Sequence, residues 1–167
     1  MKLIYILYQL FIALPILLVA TILTCLIIII GTSIGNAHFW SYYPGKIWSI
    51  LFCYVLLIPV KIKRNPNVRK DTSYVFVANH QGAFDIFLIY GFLGHDFKWL
   101  MKKGLRKMPL IGKASEAAGH IFVDKSGPKK IYATIMHARK TLTGGTSLVI
   151  FPEGSRSFTG HMGYFKR

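Results

Sequence analysis

Acid is what this chain has least of. Six Asp and Glu stand against twenty-one Lys and Arg, a formal charge of +15 over 167 residues. Such a balance implies an anionic partner: a nucleic acid, an anionic membrane surface or a phosphate-bearing substrate. No nucleic-acid-binding motif is present, so a nucleic-acid partner rests on charge alone and none is expected. Cysteine is scarce as well. Cys25 and Cys53 both stand in apolar segments. They read as small hydrophobes, neither ligands nor a disulfide pair, which suits a reducing compartment. His38, His95, His120, His137 and His161 form no zinc spacing, so no metal is expected. Ser155 and Ser157 lie outside any Gly-x-Ser-x-Gly elbow, which argues against an acyl-enzyme nucleophile. A Gly-x4-Gly-Lys-Ser/Thr phosphate loop is missing too, as are internal repeats and low-complexity segments.

What is present is segregated. The chain is 53% hydrophobic, yet residues 3–60 hold one basic residue, Lys46, and no acid. Residues 3–30 are an apolar run broken only by Gln9, Pro15, Thr21 and Thr24. Its length exceeds the roughly 20 residues that cross a bilayer core. It is too long for a signal peptide, whose apolar region spans about 7–15 residues. The run therefore predicts a retained membrane helix, kinked near Pro15. Residues 31–46 read as a polar-aromatic connector, with His38, Phe39, Trp40, Tyr42 and Tyr43 at headgroup level. Residues 47–60 form a second, shorter apolar run, of a length that fits a re-entrant, interfacial or buried helix. Lys61, Lys63, Arg64, Arg69 and Lys70 follow, and such a cluster stays on the cytoplasmic side of a membrane. If Lys2 stays there too, the first 60 residues form a hairpin that enters and leaves by one face. If only the cluster does, the first run spans once and the second lies in the interface. Attraction to anionic headgroups and a solvated juxtamembrane linker are compatible readings of the cluster.

From Asp71 onward, strand-like and helix-like segments alternate. Strands are predicted at 74–78, 98–101, 120–123 and 147–151, and helices at 85–92, 110–118 and 128–143. The last helix is the clearest, with Ile131, Ile135, Ala138 and Leu142 on one face and Gly144-Gly145 at its end. This alternation argues an α/β sheet with flanking helices, with catalytic groups on loops leaving the strand ends.

Two such loops carry chemistry. The first is Asn79-His80-Gln81-Gly82-Ala83-Phe84-Asp85, at the end of an apolar strand. A carboxylate that accepts one imidazole N–H leaves the other nitrogen free to take a proton. His80 and Asp85 thus read as a general-base dyad, with Gly82 permitting the turn and Asn79 holding it or donating near an oxyanion. The second is Phe151-Pro152-Glu153-Gly154-Ser155-Arg156-Ser157. Arg156 offers a planar fork suited to phosphate, and Glu153 reads as a hydroxyl ligand or as a partner that positions Arg156.

Asn-His-x4-Asp followed by Phe-Pro-Glu-Gly-Ser-Arg-Ser closely resembles the glycerolipid acyltransferase family, most of all its bacterial 1-acyl-sn-glycerol-3-phosphate acyltransferases. The resemblance spans residues 60–167. It implies a glycerol-3-phosphate acyltransferase-like α/β fold over 63–167 and a two-helix membrane-anchoring element over 1–62. It implies acyl transfer from acyl-CoA or acyl-acyl carrier protein to lysophosphatidic acid, at a bacterial inner membrane with the catalytic domain on the cytoplasmic side, and without cofactor; a different lysolipid acceptor, or a catalytically silent membrane-anchored fragment, is the alternative reading. His80 is then the base and Asp85 its orienting acid, with Glu153, Gly154 and Arg156 binding the acceptor. Lys102 aligns with a phosphate-binding Lys, while Lys103, Arg106, Lys107 and Lys113 read as solvated or lipid-facing. Gly119-His120-Ile121-Phe122-Val123-Asp124-Lys125 resembles the family's third block, but carries Lys125 where Arg is usual. Lysine keeps the charge and loses the bidentate fork. Residues 159–167 read as loop, and because family members continue further, the catalytic domain is expected to be incomplete at its C-terminus.

Overall fold

A single 33-residue helix, α1 (Lys2–Ile34), opens the chain. The structure is a computed structural model in which residues 2–157, 161 and 163–165 are described. Of the predicted terminal loop, Thr159, Gly160, Met162, Lys166 and Arg167 lie outside the described residues. The disturbance expected near Pro15 takes the form of a π-helical turn, Gln9–Ala13. Pro15 has no N–H to donate and its ring crowds the preceding turn. A widened turn just before it absorbs both. Ala13, Leu17, Cys25, Ile28 and Gly31 make one buried stripe along α1. Leu3, Ile4, Leu7, Phe11, Leu18 and Leu23 are exposed with most of its other apolar residues. An apolar surface of that extent needs lipid or a partner. Among the described residues, α1 is the one helix long and apolar enough to cross a membrane.

The second helix departs from the sequence reading. Where a connector and a short apolar run are predicted, one helix, α2 (Ala37–Val55), runs through most of both. Asn36 starts it, its side chain accepting the Phe39 N–H at 3.2 Å. Pro44 is carried inside it. Its buried stripe is Ser41, Tyr42, Gly45, Ser49 and Cys53, small or weakly polar residues that hydropathy underrates. They let neighbours come close: a Cβ on Gly45 would stand 2.7 Å from the Tyr90 ring, and one on Gly31 of α1 only 2.5 Å from Trp40. Trp48 Nε1–H donates to Thr21 Oγ1 at 2.9 Å, and the Tyr8 hydroxyl to the Val55 carbonyl at 2.8 Å, so α1 and α2 lie antiparallel. Leu57, at φ +56°, turns the chain out of α2. Ile58 N–H then returns to the Cys53 carbonyl at 2.9 Å.

The remaining elements alternate much as predicted: β1 (Val75–Val77), α3 (Phe84–Phe92), β2 (Phe97–Lys102), α4 (Ile111–Ala117), β3 (Ile121–Val123), α5 (Pro128–Thr141) and β4 (Ser147–Ile150). The sheet is parallel with strand order β1-β4-β2-β3. Val75 pairs with Leu148, Phe97 with Ser147 and Leu100 with Ile121. The right-handed crossover rule for parallel strands, applied to this order, assigns α3 and α4 to one face and α5, which steps back across the sheet, to the other. The core fills the first face: Tyr42, Tyr90, Phe97, Trp99 and Val149 pack together, with Cys25, Ile28, Ala114 and Ala118 beside them. Phe52 stacks on Phe87 at 3.9 Å and Tyr42 on Tyr90 at 6.0 Å. Hence α2 runs antiparallel to α3, and its last turn reaches the sheet edge where α3 begins.

The face predicted for α5 is only half covered. Ala138 and Leu142 turn inward, but Ile131 and Ile135 stay 40% and 57% exposed. The helix lies over β3 and β4 and leaves Val75 and Val77 of β1 exposed as well.

His120 is a core residue. It is buried, its Nδ1 accepts the Trp99 N–H at 3.3 Å, and burial with nearby Lys98 pushes its pKa down to about 3. The unfolded chain takes up a proton near pH 6.5 that the folded chain refuses until far lower pH. Stability contributed by neutral His120 is therefore full above about pH 6.5 and falls as pH drops toward 3. Thermal unfolding in detergent at pH 7 and pH 5 is expected to show this loss. His120→Asn, whose amide oxygen can take over the Trp99 N–H, is expected to flatten it.

Candidate active site

A parallel sheet gathers the C-terminal ends of its strands along one edge. Here that edge carries, in spatial order, the His80 turn after β1, the Glu153 loop after β4, Lys102 at the end of β2 and Lys125 beyond β3. At about 4.8 Å per strand, Lys102 belongs to a strand about 10 Å from the one that delivers His80, and Lys125 to one about 14 Å away.

The first turn is closed by Asp85. Its Oδ2 stands 2.9 Å from His80 Nδ1 and accepts the Gln81 and Gly82 N–H groups at 2.8 and 2.9 Å. Asp85 also sits in the first turn of α3, where a carboxylate is favoured by the helix dipole. With Asp85 accepting, the proton lies on Nδ1 and Nε2 is left as the basic nitrogen. The imidazole lies flat on Phe151, ring centroids 4.1 Å apart, and Phe151 stacks in turn on Trp99 at 5.4 Å. The ring is thus oriented by a hydrogen bond at one edge and by stacking on one face. Two readings of this turn are corrected. Gly82 is needed for no special backbone angle: its φ is not positive, and a Cβ there would meet nothing closer than 3.9 Å. Its contribution is its N–H. Asn79 is exposed and its side chain makes no hydrogen bond among the described residues, so it does not hold the turn.

Glu153 joins the two motifs. It is 3% exposed. Oε1 accepts the His80 N–H at 2.8 Å, and Oε2 the Gly163 N–H at 2.8 Å. The His80 carbonyl in turn accepts the Ser157 N–H at 2.8 Å. Both backbone groups of His80 are therefore held by the second loop. The N–H donors of His80 and Gly163 hold the Glu153 carboxyl below its ordinary pKa. Gly154 makes the sharp turn that this loop needs, at φ +67° with its N–H on the Phe151 carbonyl at 3.0 Å. Arg156 is exposed at the same edge.

The lysines divide. Lys102 and Lys125 are exposed and form no ion pair among the described residues. Lys103 and Arg106, predicted to be solvated or lipid-facing, are engaged while remaining more than half exposed. Lys103 pairs with Asp124 at 2.7 Å and so ties the end of β2 to the end of β3. That bond, with the Ser126 N–H, holds the Asp124 carboxyl far below the usual range. Arg106 pairs with Glu116 and lies over the Phe122 ring. Phe151 and the Lys103–Asp124 pair are the site features that sequence reasoning missed. Two cavities flank α2, one apolar and about 110 Å³, the other polar and about 190 Å³; no residue of either motif lines them.

The acyltransferase family model matches residues 59–167. The chain belongs to that family. Its acyltransferase relatives include a chloroplastic 1-acyl-sn-glycerol-3-phosphate acyltransferase of Arabidopsis thaliana, 31% identical over 129 residues that cover 77% of this chain and 36% of the relative. The 1-acyl-sn-glycerol-3-phosphate acyltransferase of Saccharomyces cerevisiae is 27% identical over 135 residues, 80% of this chain and 44% of that one. Among solved structures, the 1-acyl-sn-glycerophosphate acyltransferase PlsC of Thermotoga maritima superposes with a TM-score of 0.73 at 25% identity, covering 99% of this chain and 66% of its own. This acyltransferase chain thus spans about two-fifths of the length of those two curated relatives.

Proposed function

We propose that the chain carries the catalytic machinery for moving a fatty acyl group from a thioester, acyl-CoA or acyl-acyl carrier protein, to the sn-2 hydroxyl of lysophosphatidic acid, giving phosphatidic acid. The observation that carries the reading is the His80–Asp85 hydrogen bond at the C-terminal edge of a parallel sheet, which leaves Nε2 unoccupied beside the Pro-Glu-Gly-Ser-Arg loop. Nε2 takes the hydroxyl proton as the acceptor oxygen attacks the thioester carbonyl. The carbon–sulfur bond breaks and the departing thiolate takes the proton back from the imidazolium, so His80 ends as it began. Asp85 stabilises the charged ring between those two transfers. Arg156 and Lys102 meet the acceptor phosphate, with Lys125 as a further cation. The chemistry calls for no resident metal or cofactor.

The same reading places the protein at a membrane, with its catalytic domain on the cytoplasmic face of a bacterial inner membrane. Support comes from the exposed apolar surface of α1 and from its start beside the last turn of α2, at the catalytic edge. Leu57, Phe84 and Ile86 add exposed apolar side chains in the turn after α2 and the first turn of α3. Lys61 and Lys63, also exposed, follow within a few residues. An acyl chain would reach His80 along that surface. The test is acyl transfer in mixed micelles, offering lysophosphatidic acid in competition with neutral and zwitterionic lysolipids. Phosphatidic acid is expected as the dominant product. Preferential acylation of an uncharged acceptor would contradict the cationic acceptor site.

A further inference from the structure

The polar cavity lies at the edge of the sheet opposite His80. The first half of α2, the loop before β1 and the start of β2 enclose about 190 Å³ between His38, Tyr42, Tyr43, Lys46, Lys70 and Asp96. Lys46 is the one charge within the apolar first 60 residues after Lys2, and it sits over the Tyr42 and Tyr43 rings at 5.8 and 6.0 Å. Asp96 holds His38 Nδ1 at 3.0 Å through Oδ2. Two polar atoms here are left over. The Tyr42 hydroxyl, on a residue only 5% exposed, and Asp96 Oδ1 are buried without a hydrogen-bond partner. Groups so buried cost free energy unless something binds them.

We propose that this cavity binds a protonated phosphate group. Lys46 and Lys70 supply the positive charge. Asp96 Oδ1 can only accept, so the occupant must bring both negative charge and a donor. Phosphate satisfies both needs, because it keeps a proton at neutral pH; sulfate keeps none and would meet Asp96 as a like charge. The Tyr42 hydroxyl donates to a further phosphate oxygen. The site is separate from the acyl-transfer edge and independent of the chemistry proposed there.

Titration calorimetry of the full chain in detergent, in phosphate-free buffer, tests this. In the Arg156→Gln chain, which lacks the forked cation assigned to the acceptor phosphate, inorganic phosphate is expected to bind at least about tenfold more tightly than sulfate, the scale of one charge-assisted hydrogen bond. Lys70→Gln, an exposed position, is expected to weaken phosphate about tenfold. Asp96→Asn is expected to narrow the phosphate-to-sulfate ratio. With Arg156 present, the same preference over sulfate and the same loss through Lys70→Gln are expected, beside any phosphate that Arg156 holds at the other edge. Glycerol 1-phosphate binding as well as inorganic phosphate assigns the site to the head of a larger phosphomonoester; its exclusion assigns it to the free ion. Absence of phosphate binding, equal affinity for sulfate, or loss through Arg156→Gln with none through Lys70→Gln would overturn the proposal.

Discussion

His80→Ala is expected to lower the rate of acyl transfer by about 10²–10⁴-fold, with the KM for lysophosphatidic acid little changed. The ring is the only group placed to take the hydroxyl proton in the proposed mechanism. The phosphate-binding cations are untouched by the change, so ground-state affinity stays and the loss falls on kcat. The fold has no stake large enough to confuse the reading. The His80 side chain is tied to Asp85 and lies on Phe151, while its backbone N–H and C=O, which hold the second loop, survive in alanine. Steady-state kinetics in mixed micelles check this split. A rise in KM at constant kcat would mean that His80 binds the acceptor and performs no proton transfer.

Glu153→Ala is expected to cost about 10²-fold or more in kcat, through a different route. Each carboxylate oxygen holds one backbone N–H, His80 on one side and Gly163 on the other. Removing both acceptors releases the loop that clamps the base, and a displacement of about 1 Å in a catalytic group costs on the order of 10²-fold. Glu153→Gln keeps one carbonyl oxygen for the His80 N–H and is expected to retain much more activity than alanine. A residue whose only task was to bind an acceptor hydroxyl would show itself in KM and leave the loop as resistant to proteolysis as before. Here protease cleavage near residue 155 is expected to quicken in Glu153→Ala. The pH dependence follows from the lowered carboxyl pKa. The link is complete above the ordinary carboxylate range and is lost as pH falls through and below it, overlapping the lower part of the window in which His120 acts.

Much of this site can be read in the sequence because its parts are local. His80 and Asp85 are five residues apart, and a strand followed by a turn places them together. The strands themselves are legible as short apolar runs, and α1 as a long one. Neighbourhood across the sheet is not local. That β1 lies beside β4 follows from the strand order, and only then does Glu153 fall next to the His80 N–H, 73 residues away. A sequence reading can see that Glu153 is special, yet it has no means of choosing between a hydroxyl ligand and a backbone clamp. The start of α2 fails for another reason. Its buried stripe of Ser41, Gly45 and Ser49 is small rather than apolar, so its signal is close approach, which hydropathy does not register. Ile131 and Ile135 err in the opposite direction: the pattern is amphipathic, but the helix lies over β3 and β4 with only part of that face turned inward.

The central claim is that His80 and Asp85 act as one unit. Single-turnover acyl transfer should be measured for the unchanged chain, His80→Ala, Asp85→Ala and the double variant. Residues that work only through each other are strongly non-additive. The double variant is expected to be no slower than His80→Ala beyond about twofold, the usual limit of independent error. A double variant slowed by the product of the two single losses would contradict it, because Asp85 would then contribute without His80.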